Sequence, residues 1–463
     1  MVLPLAVSAW RSRLRPPEKR AMTSPVDGGS ALSRRAAIQL SVGAGIGLAG
    51  TGGGMVRYKA THVGRPLLSE TVALRGPGTL DLVSPGSAPG LMVADTRVLR
   101  GAVDEDRLIS EQRAWMSSGA TWTREAGAWS ALVQAASLDL HVLMIASPAP
   151  VAGWSPFWRF VWPRDAAHAA AALARTGRAQ QAVPIMEFLQ RVQHPSGWFE
   201  ARYLPDGSGP PDDRARQLDG TGWALWALAD VVDHLSAAQG DHVANSMRPL
   251  IGRCLTLIYA QTNNATGLPS PSPDYWETPE DTLTLGTVAP LAAGLWGAQR
   301  LLSRLGDQPA TQRALEGEGG LRQAIESRFQ RDGYPRHLGR DDPDAAIAFL
   351  LPPYAANVTL APLDALVAAE KKMRRAGGGL APGTGWKNDG ISWTPETAQT
   401  ALAYASSGRA ADAARLLSWI DTHRTSYGSI PEKVLHNGAP AGPAPLSWTA
   451  ALVLLTIEAL TRT

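Results

Sequence analysis

Beyond residue 122 the chain is a succession of Ala/Leu-rich segments with helical spacing of apolar residues, separated by loops rich in Gly, Pro and Trp. This alternation leaves few folds open. The spacing predicts helices near 122–140, 165–176, 178–193, 217–237, 241–262, 281–304, 318–329, 342–350, 357–375, 393–407, 409–422 and 444–461. Every second one starts near 165, 217, 281, 342, 393 and 444, a recurrence of roughly 50–60 residues that reads as stacked helical pairs. Six pairs closed into a ring, an all-α (α/α)6 toroid of the six-hairpin type, is the simplest architecture. An open solenoid would not need long aromatic loops before alternate helices.

Upstream the pattern breaks. Residues 58–120 are interrupted by Gly and Pro and hold short β-type runs, Glu70-Thr71-Val72-Ala73-Leu74 and Leu91-Met92-Val93, so an irregular, partly β segment is expected before a helical domain at 121–463. Residues 1–57 read as a leader. Ser33-Arg34-Arg35 precedes Ala36-Ala37-Ile38-Gln39-Leu40 and a weakly apolar Gly/Ala-rich stretch to Gly50, the form of a twin-arginine export signal. That stretch is too short and glycine-rich to span a bilayer stably. An extracellular or cell-surface protein is therefore expected, with membrane attachment only through an uncleaved leader, and Met22 is an alternative start.

Charge follows the same division. The whole chain carries +3, but eight basic and two acidic side chains lie in residues 1–57, which puts +6 there and leaves −3 on the remainder. A mildly acidic body gives no electrostatic case for nucleic acid, which is bound by clustered Lys and Arg. The single cysteine, Cys254, sits in the apolar run Leu250-Ile251-Gly252-Arg253-Cys254-Leu255 and reads as a buried helical thiol, so no intrachain disulfide is available.

The loops that enter alternate helices place carboxylates beside tryptophan: Trp162-Pro163-Arg164-Asp165, Trp198-Phe199-Glu200, Asp274-Tyr275-Trp276-Glu277, Trp386-Lys387-Asn388-Asp389, and Pro431-Glu432 ahead of Trp448. On a closed ring such loops converge. The chain has sixteen Trp against eight Tyr and six Phe, an inversion of the usual order, and many of these indoles must be core packing. The rest, with a few directed carboxylates, suit a sugar, whose C–H faces are apolar and whose rim is hydroxylated. Cleavage of a glycosidic bond needs a proton donor and, with inversion, a second carboxylate about 6.5–9.5 Å away to activate water. Glu277, after Tyr275 and Trp276, is expected in an aromatic, poorly solvated pocket that favours the protonated acid, and Glu432 in a polar turn that holds an ionised base.

Five segments together resemble the glucoamylase-like glycoside hydrolases of family 15 over nearly all of 120–463: Phe160-Val161-Trp162-Pro163-Arg164-Asp165-Ala166-Ala167, Gln217-Leu218-Asp219-Gly220, Pro273-Asp274-Tyr275-Trp276-Glu277, Gly428-Ser429-Ile430-Pro431-Glu432 and Pro445-Leu446-Ser447-Trp448. The resemblance implies the (α/α)6 toroid, inversion, Glu277 as general acid and Glu432 as general base. It also implies that Arg164 and Asp165 grip the terminal sugar of an oligo- or polysaccharide α-glucoside, with Trp162, Trp276 and Trp448 as walls. It implies hydrolysis without an organic cofactor; no metal cluster of His and Cys is apparent, and calcium at loop oxygens stays open. The chain departs from the family where Glu277-Thr278-Pro279-Glu280 displaces the second acidic residue, and the N-terminal segment is too short for a full β-sandwich. The linkage is thus open between glucoamylase, dextran-directed and trehalase activities. Phosphorolysis lacks a phosphate cradle beside Glu432, and a sugar-binding protein without chemistry would not need both glutamates. Arg164 and Asp165 also fit a buried ion pair, Asp219 a helix cap, and Asp341-Asp342-Pro343-Asp344 the cap of the helix after it.

Overall fold

Helix starts in this chain are marked by proline in the first turn and by side-chain caps, and these signals set the architecture. The computed structural model describes residues 66–462, so the twin-arginine leader lies outside the described residues. Pro163 opens α3 (Pro163–Leu173) and Pro395 lies in the first turn of α11 (Thr394–Ser406). Proline is tolerated there because the first-turn N–H has no helical partner. The Thr284 side chain accepts from Thr287 N to cap α8 (Leu285–Arg304), and that of Asp344 accepts from Ala346 N to cap a 3-10 turn, Ala345–Leu350. With α5 (Asp219–Asp233) and α13 (Ser447–Thr461) these make an inner ring in which each element packs on the next and α13 packs back on α3. An outer layer of α2 (Ser130–Met144), α4 (Ala179–Val192), α6 (Ala237–Ser246) with α7 (Arg248–Thr262), α9 (Gln308–Phe329), α10 (Leu360–Met373) and α12 (Ala410–Thr422) covers it. The fold is an (α/α)6 toroid.

Inner helices are apolar all round because they face both the outer layer and the ring interior. Every residue of α3 is buried, six of them alanine. Small residues let the ring close: a Cβ on Gly222 would lie 2.0 Å from Pro290 O, and one on Gly294 2.7 Å from Gly222 Cα, so α5 and α8 meet backbone to backbone. Inside, His168, Trp223, Trp226, Phe349 and Tyr354 interlock at tilted to edge-to-face angles, with Trp223 and Trp226 fully buried.

The structure departs from the sequence reading at identifiable places. Residues 121–129 form two 3-10 turns, and α2 starts only at Ser130. The expected helix at 241–262 is two helices, because Pro249 in the first turn of α7 forces a new start. The fourth ring position is a 3-10 turn, and α9 begins ten residues earlier than expected, at the Asp307 cap, through a Gly-rich stretch that hid it. In the N-terminal segment β1 (Thr71–Gly76) and β2 (Thr79–Val83) pair antiparallel, and an unanticipated α1 (Glu105–Ser117) follows. Only Leu108 and Gln112 of α1 are buried, so it carries almost no apolar period. Short strands β3 (Ser392–Trp393), β4 (Lys433–Val434) and β5 (Pro440–Ala441) tie the start of α11 to the segment that carries Glu432.

The α5–α8 contact yields a prediction. A Gly222→Ala substitution forces a methyl group onto a backbone carbonyl and destabilises the fold by about 3 kcal/mol; thermal denaturation checks it, and an unchanged melting temperature refutes the close approach.

Candidate active site

The N-terminal turns of the ring elements meet at one end of the toroid. Arg164 and Asp165 of α3 pair at 2.9 Å, and the Arg164 guanidinium lies 4.4 Å from the Trp448 ring at the start of α13. Thr394 Oγ1 at the start of α11 is 3.0 Å from Thr449 Oγ1 of α13. Tyr275, just ahead of α8, donates to the Asp344 cap at 2.8 Å. Helix N-termini carry unsatisfied N–H groups and partial positive charge, which suits the acids gathered here.

Burial sets their protonation. It pushes Asp165 up to about 6, with the Glu277 charge adding and Arg164 opposing. It pushes Asp219 up to about 7 against the pull of Arg164, and Glu396, in the first turn of α11, up to about 8, where the Glu432 charge adds and Arg164 and Lys433 oppose. Burial also works against the charge on Arg164, but Asp165, Asp219, Glu277 and Glu396 outweigh it and hold the guanidinium protonated. Arg164 is thus the electrostatic centre of the cluster, and its ion pair with Asp165 leaves Nε and Nη1 without a protein partner.

Glu277 acts on Arg164 directly, whereas Glu432 faces Glu396, which in turn faces Arg164. Trp162 Nε1 donates to Glu277 Oε1, and Trp158 Nε1, on the same loop, donates to Glu432 Oε1 at 3.1 Å. A run of aromatic rings links the loop of Glu277 to Lys433. The Trp276 and Trp386 rings meet edge to face at 4.8 Å, Trp386 and Trp393 at 5.4 Å, and Lys433 Nζ lies 4.2 Å from the Trp393 ring and 2.9 Å from Glu432 Oε2. Indole N–H groups of Trp276, Trp386, Trp393 and Trp448, with Glu396 Oε2, have no partner among the described residues. Buried polar groups left unpaired are costly, and a hydroxyl-rich ligand would satisfy them.

The loop that carries Glu277 is held from below. Asp274, fully buried, accepts from Trp276 N at 3.0 Å, Thr284 Oγ1 at 2.8 Å and Arg336 Nη2 at 2.7 Å, and Glu277 N donates to Asp274 O at 2.8 Å. Arg336 also grips Glu280 at 2.7 Å and Asp344 at 3.1 Å. Glu280, the displaced acid of the sequence, is therefore spent on Arg336 and on His337 at 2.9 Å. Glu277 itself sits at φ 56°, left-handed backbone that a glutamate adopts only where the surroundings over-determine it.

Two expectations are corrected. Glu277 does not lie in a purely aromatic setting: Arg214, from the loop between α4 and α5, pairs with it, and 22% of its side chain is exposed. Glu432 is the more buried of the two, with Lys433 as a counter-ion. Trp276 and Trp448 each give a ring face to a guanidinium, Arg336 at 3.9 Å and Arg164 at 4.4 Å, so each has at most one face for a ligand. Asp219 does accept from the first-turn Gly220 N at 2.9 Å, but it also faces Arg164. Asp344 caps as expected. Sequence reasoning missed Trp158, Arg214 and Glu396. For Glu396 a signal existed, since Trp393-Thr394-Pro395-Glu396 repeats the aromatic, proline, acid order of Trp162-Pro163-Arg164-Asp165. A separate cleft of about 500 Å³, between residues 87–100, α2 and 424–428, contains none of these carboxylates.

No protein-family model matches the chain, and no curated protein matches it in sequence. Solved structures do match in fold. A glycosidase variant in complex with glucose aligns over 73% of this chain and 98% of its own at 19% identity, with a TM-score of 0.61. A bacterial glucoamylase complexed with acarbose aligns over 77% of this chain and 59% of its own at 16% identity and 0.62. The glucoamylase from Saccharomycopsis fibuligera aligns over 68% and 89% at 14% identity and 0.53. The chain thus has the glucoamylase-like fold.

The raised Glu396 gives a pH prediction. Between the usual 4.5 of a glutamate and about 8, the unfolded chain ionises at this position and the folded one does not, so stability falls as pH rises through that window. A Glu396→Gln variant lacks this loss. Its melting temperature relative to wild type should rise between pH 5 and pH 8; a difference that is the same at both values refutes the buried, protonated glutamate.

Proposed function

We propose that the protein is a glycoside hydrolase that removes terminal glucose from α-glucosides with inversion, Glu277 acting as general acid and Glu432 as general base. The observation that carries this reading is that both carboxylates are bonded to indoles of one loop, the loop that leads directly into the Arg164–Asp165 pair. Solved structures of the same fold with glucose and acarbose support a sugar as the ligand.

In this scheme the terminal sugar sits against Arg164 and Asp165. Arg164 offers its two unpartnered nitrogens to hydroxyl oxygens, while Asp165 accepts from hydroxyls. Glu277 gives its proton to the glycosidic oxygen as the C–O bond breaks. Glu432 takes a proton from the water that attacks the anomeric carbon from the other side. Trp162 and Trp158 fix one oxygen of each carboxylate, and the other oxygen, which carries the chemistry, faces a cation: Arg214 at Glu277 and Lys433 at Glu432.

The counter-ions support the division of roles. Lys433 is adjacent to Glu432 in the chain, its side chain is only 12% exposed, and it is stacked on Trp393, so the positive charge beside the base is fixed. Arg214 reaches Glu277 from the Gly- and Pro-rich stretch 205–216 and is 38% exposed. A leaving-group sugar that enters beside Glu277 competes with it for the same carboxylate oxygen.

Glu277→Gln and Glu432→Gln should each lower kcat by about 100-fold or more while the fold and sugar binding persist. Glucose release from maltose, isomaltose, trehalose and soluble starch, with the anomer followed by NMR, checks the reaction. β-Glucose from one of them identifies the linkage. Release of the terminal, attacked sugar of starch as α-glucose, or of trehalose as α-glucose alone without an equal amount of the β anomer, would contradict inversion, and no release from any by folded protein would point to binding without hydrolysis.

A further inference from the structure

The segment that carries Glu432 is fastened at a point outside the ring. Asp139 of α2 is fully buried and accepts four hydrogen bonds: from Arg97 Nε at 3.1 Å and Nη2 at 2.9 Å, from Ser429 Oγ at 2.7 Å and from Ile430 N at 3.2 Å. All four come from the segment leading into Glu432 or from Arg97, which grips that segment too. Arg97 Nη1 donates to Tyr427 O at 3.3 Å and Nη2 to Ser429 Oγ at 3.2 Å. The start of β1 and the two residues before it complete the hold. Thr71 Oγ1 lies 2.6 Å from Ser429 Oγ, the Glu70 carboxylate accepts from Ser426 N at 3.0 Å, and Ser69 Oγ donates to Ala444 O at 2.6 Å, beyond Glu432.

This arrangement repeats the one under Glu277. There a buried aspartate, Asp274, takes a backbone N–H, a hydroxyl and a buried arginine, Arg336; here Asp139 takes Ile430 N, Ser429 Oγ and Arg97. A buried carboxylate costs free energy unless fully bonded, and both are bonded to the chain one to three residues from a glutamate of the site. Asp139 touches neither Glu432 nor the sugar site directly. It fixes Ile430, and through the short Ile430-Pro431-Glu432 run it fixes where the Glu432 carboxylate stands relative to Trp158.

We propose that Asp139 is a positioning residue for the general base, and that the N-terminal segment, through Arg97 and Thr71, is part of the catalytic framework. The inference rests on the reading of Glu432 as base. Misplacement of a reacting group by about 1 Å can cost on the order of 100-fold in rate. A role confined to stability would lower the melting temperature and leave the chemistry of each folded molecule unchanged.

The test compares Asp139→Asn, Ser429→Ala and Glu432→Gln in the full chain, with the best of the four glucosides above as substrate and circular dichroism to count folded protein. Asp139→Asn and Ser429→Ala should each lower kcat per folded molecule about 10- to 100-fold and leave KM within about threefold, the split expected when the base is misplaced but the sugar pocket is intact. A folded Ser429→Ala with wild-type kcat overturns the inference, as does a change in which KM rises more than kcat falls. If Asp139→Asn does not fold, Ser429→Ala carries the test, because it keeps the Arg97–Asp139 pair. Glu432→Gln separates the two claims: if it retains turnover, the base assignment itself has failed.

Discussion

Closing six helical elements into a ring brings six N-termini to one end, and much of this molecule is a response to that constraint. Each terminus presents N–H groups without helical partners, so the end of the ring is a concentration of donors and partial positive charge. Acidic side chains collect there: Asp165, Asp219, Asp344 and Glu396 all lie in, or cap, the first turn of a ring element. The ring also removes them from water. Burial raises all four, and the buried Arg164 and Arg336 are what make so dense a set of carboxyls tolerable. Removing one member of such a cluster would leave a charge without its partner, a loss of about 3–5 kcal/mol.

Loops inherit a different problem, because a side chain at the end of a loop is only as well placed as the loop. The chain meets it by spending buried charges below the surface of the site. Asp274 and Arg336 secure the turn in which Glu277 adopts a left-handed backbone, a conformation worth roughly 1–3 kcal/mol of strain. Asp139 and Arg97 secure the run into Glu432. Neither aspartate is exposed, so neither contributes to solubility, and their bonds run to backbone N–H and hydroxyl groups that only a fixed loop keeps in place.

The periodic part of this design was legible. All six ring elements start within about four residues of the sequence reading, although the fourth is a 3-10 turn, because an apolar helix after a Trp/Pro/acid loop writes a strong local pattern. Features settled by distant segments were not. Nothing near Glu277 announces Arg214, which arrives from a stretch of Gly, Pro and Asp that reads as a solvated loop. The Pro-Glu turn at 431–432 reads as polar, yet β4, β5 and the loop of Trp158 cover it. Helix α1 escaped because its buried face is two residues wide. Each miss is a case in which tertiary contact, absent from any local window, decides the environment.

The same distinction bears on how acid and base are told apart. A sequence suggests protonation from neighbours in the chain, and by that measure Glu277 is the desolvated residue and Glu432 the solvated one. In the folded protein both carry a cation, and what differs is how each cation is held. Lys433 is fixed by chain adjacency and by its stack on Trp393, so it accompanies Glu432 through any cycle of binding and release. Arg214 belongs to a longer, more exposed loop and shares itself with Asp212 at 3.4 Å, which gives it somewhere to go. A carboxyl that must hold a proton at one moment and lose it at the next needs a counter-ion that can leave, whereas a base that stays ionised while water approaches needs one that cannot. On the proposed assignment, the roles follow less from the aromatic residues beside each glutamate than from the length of chain that delivers its cation.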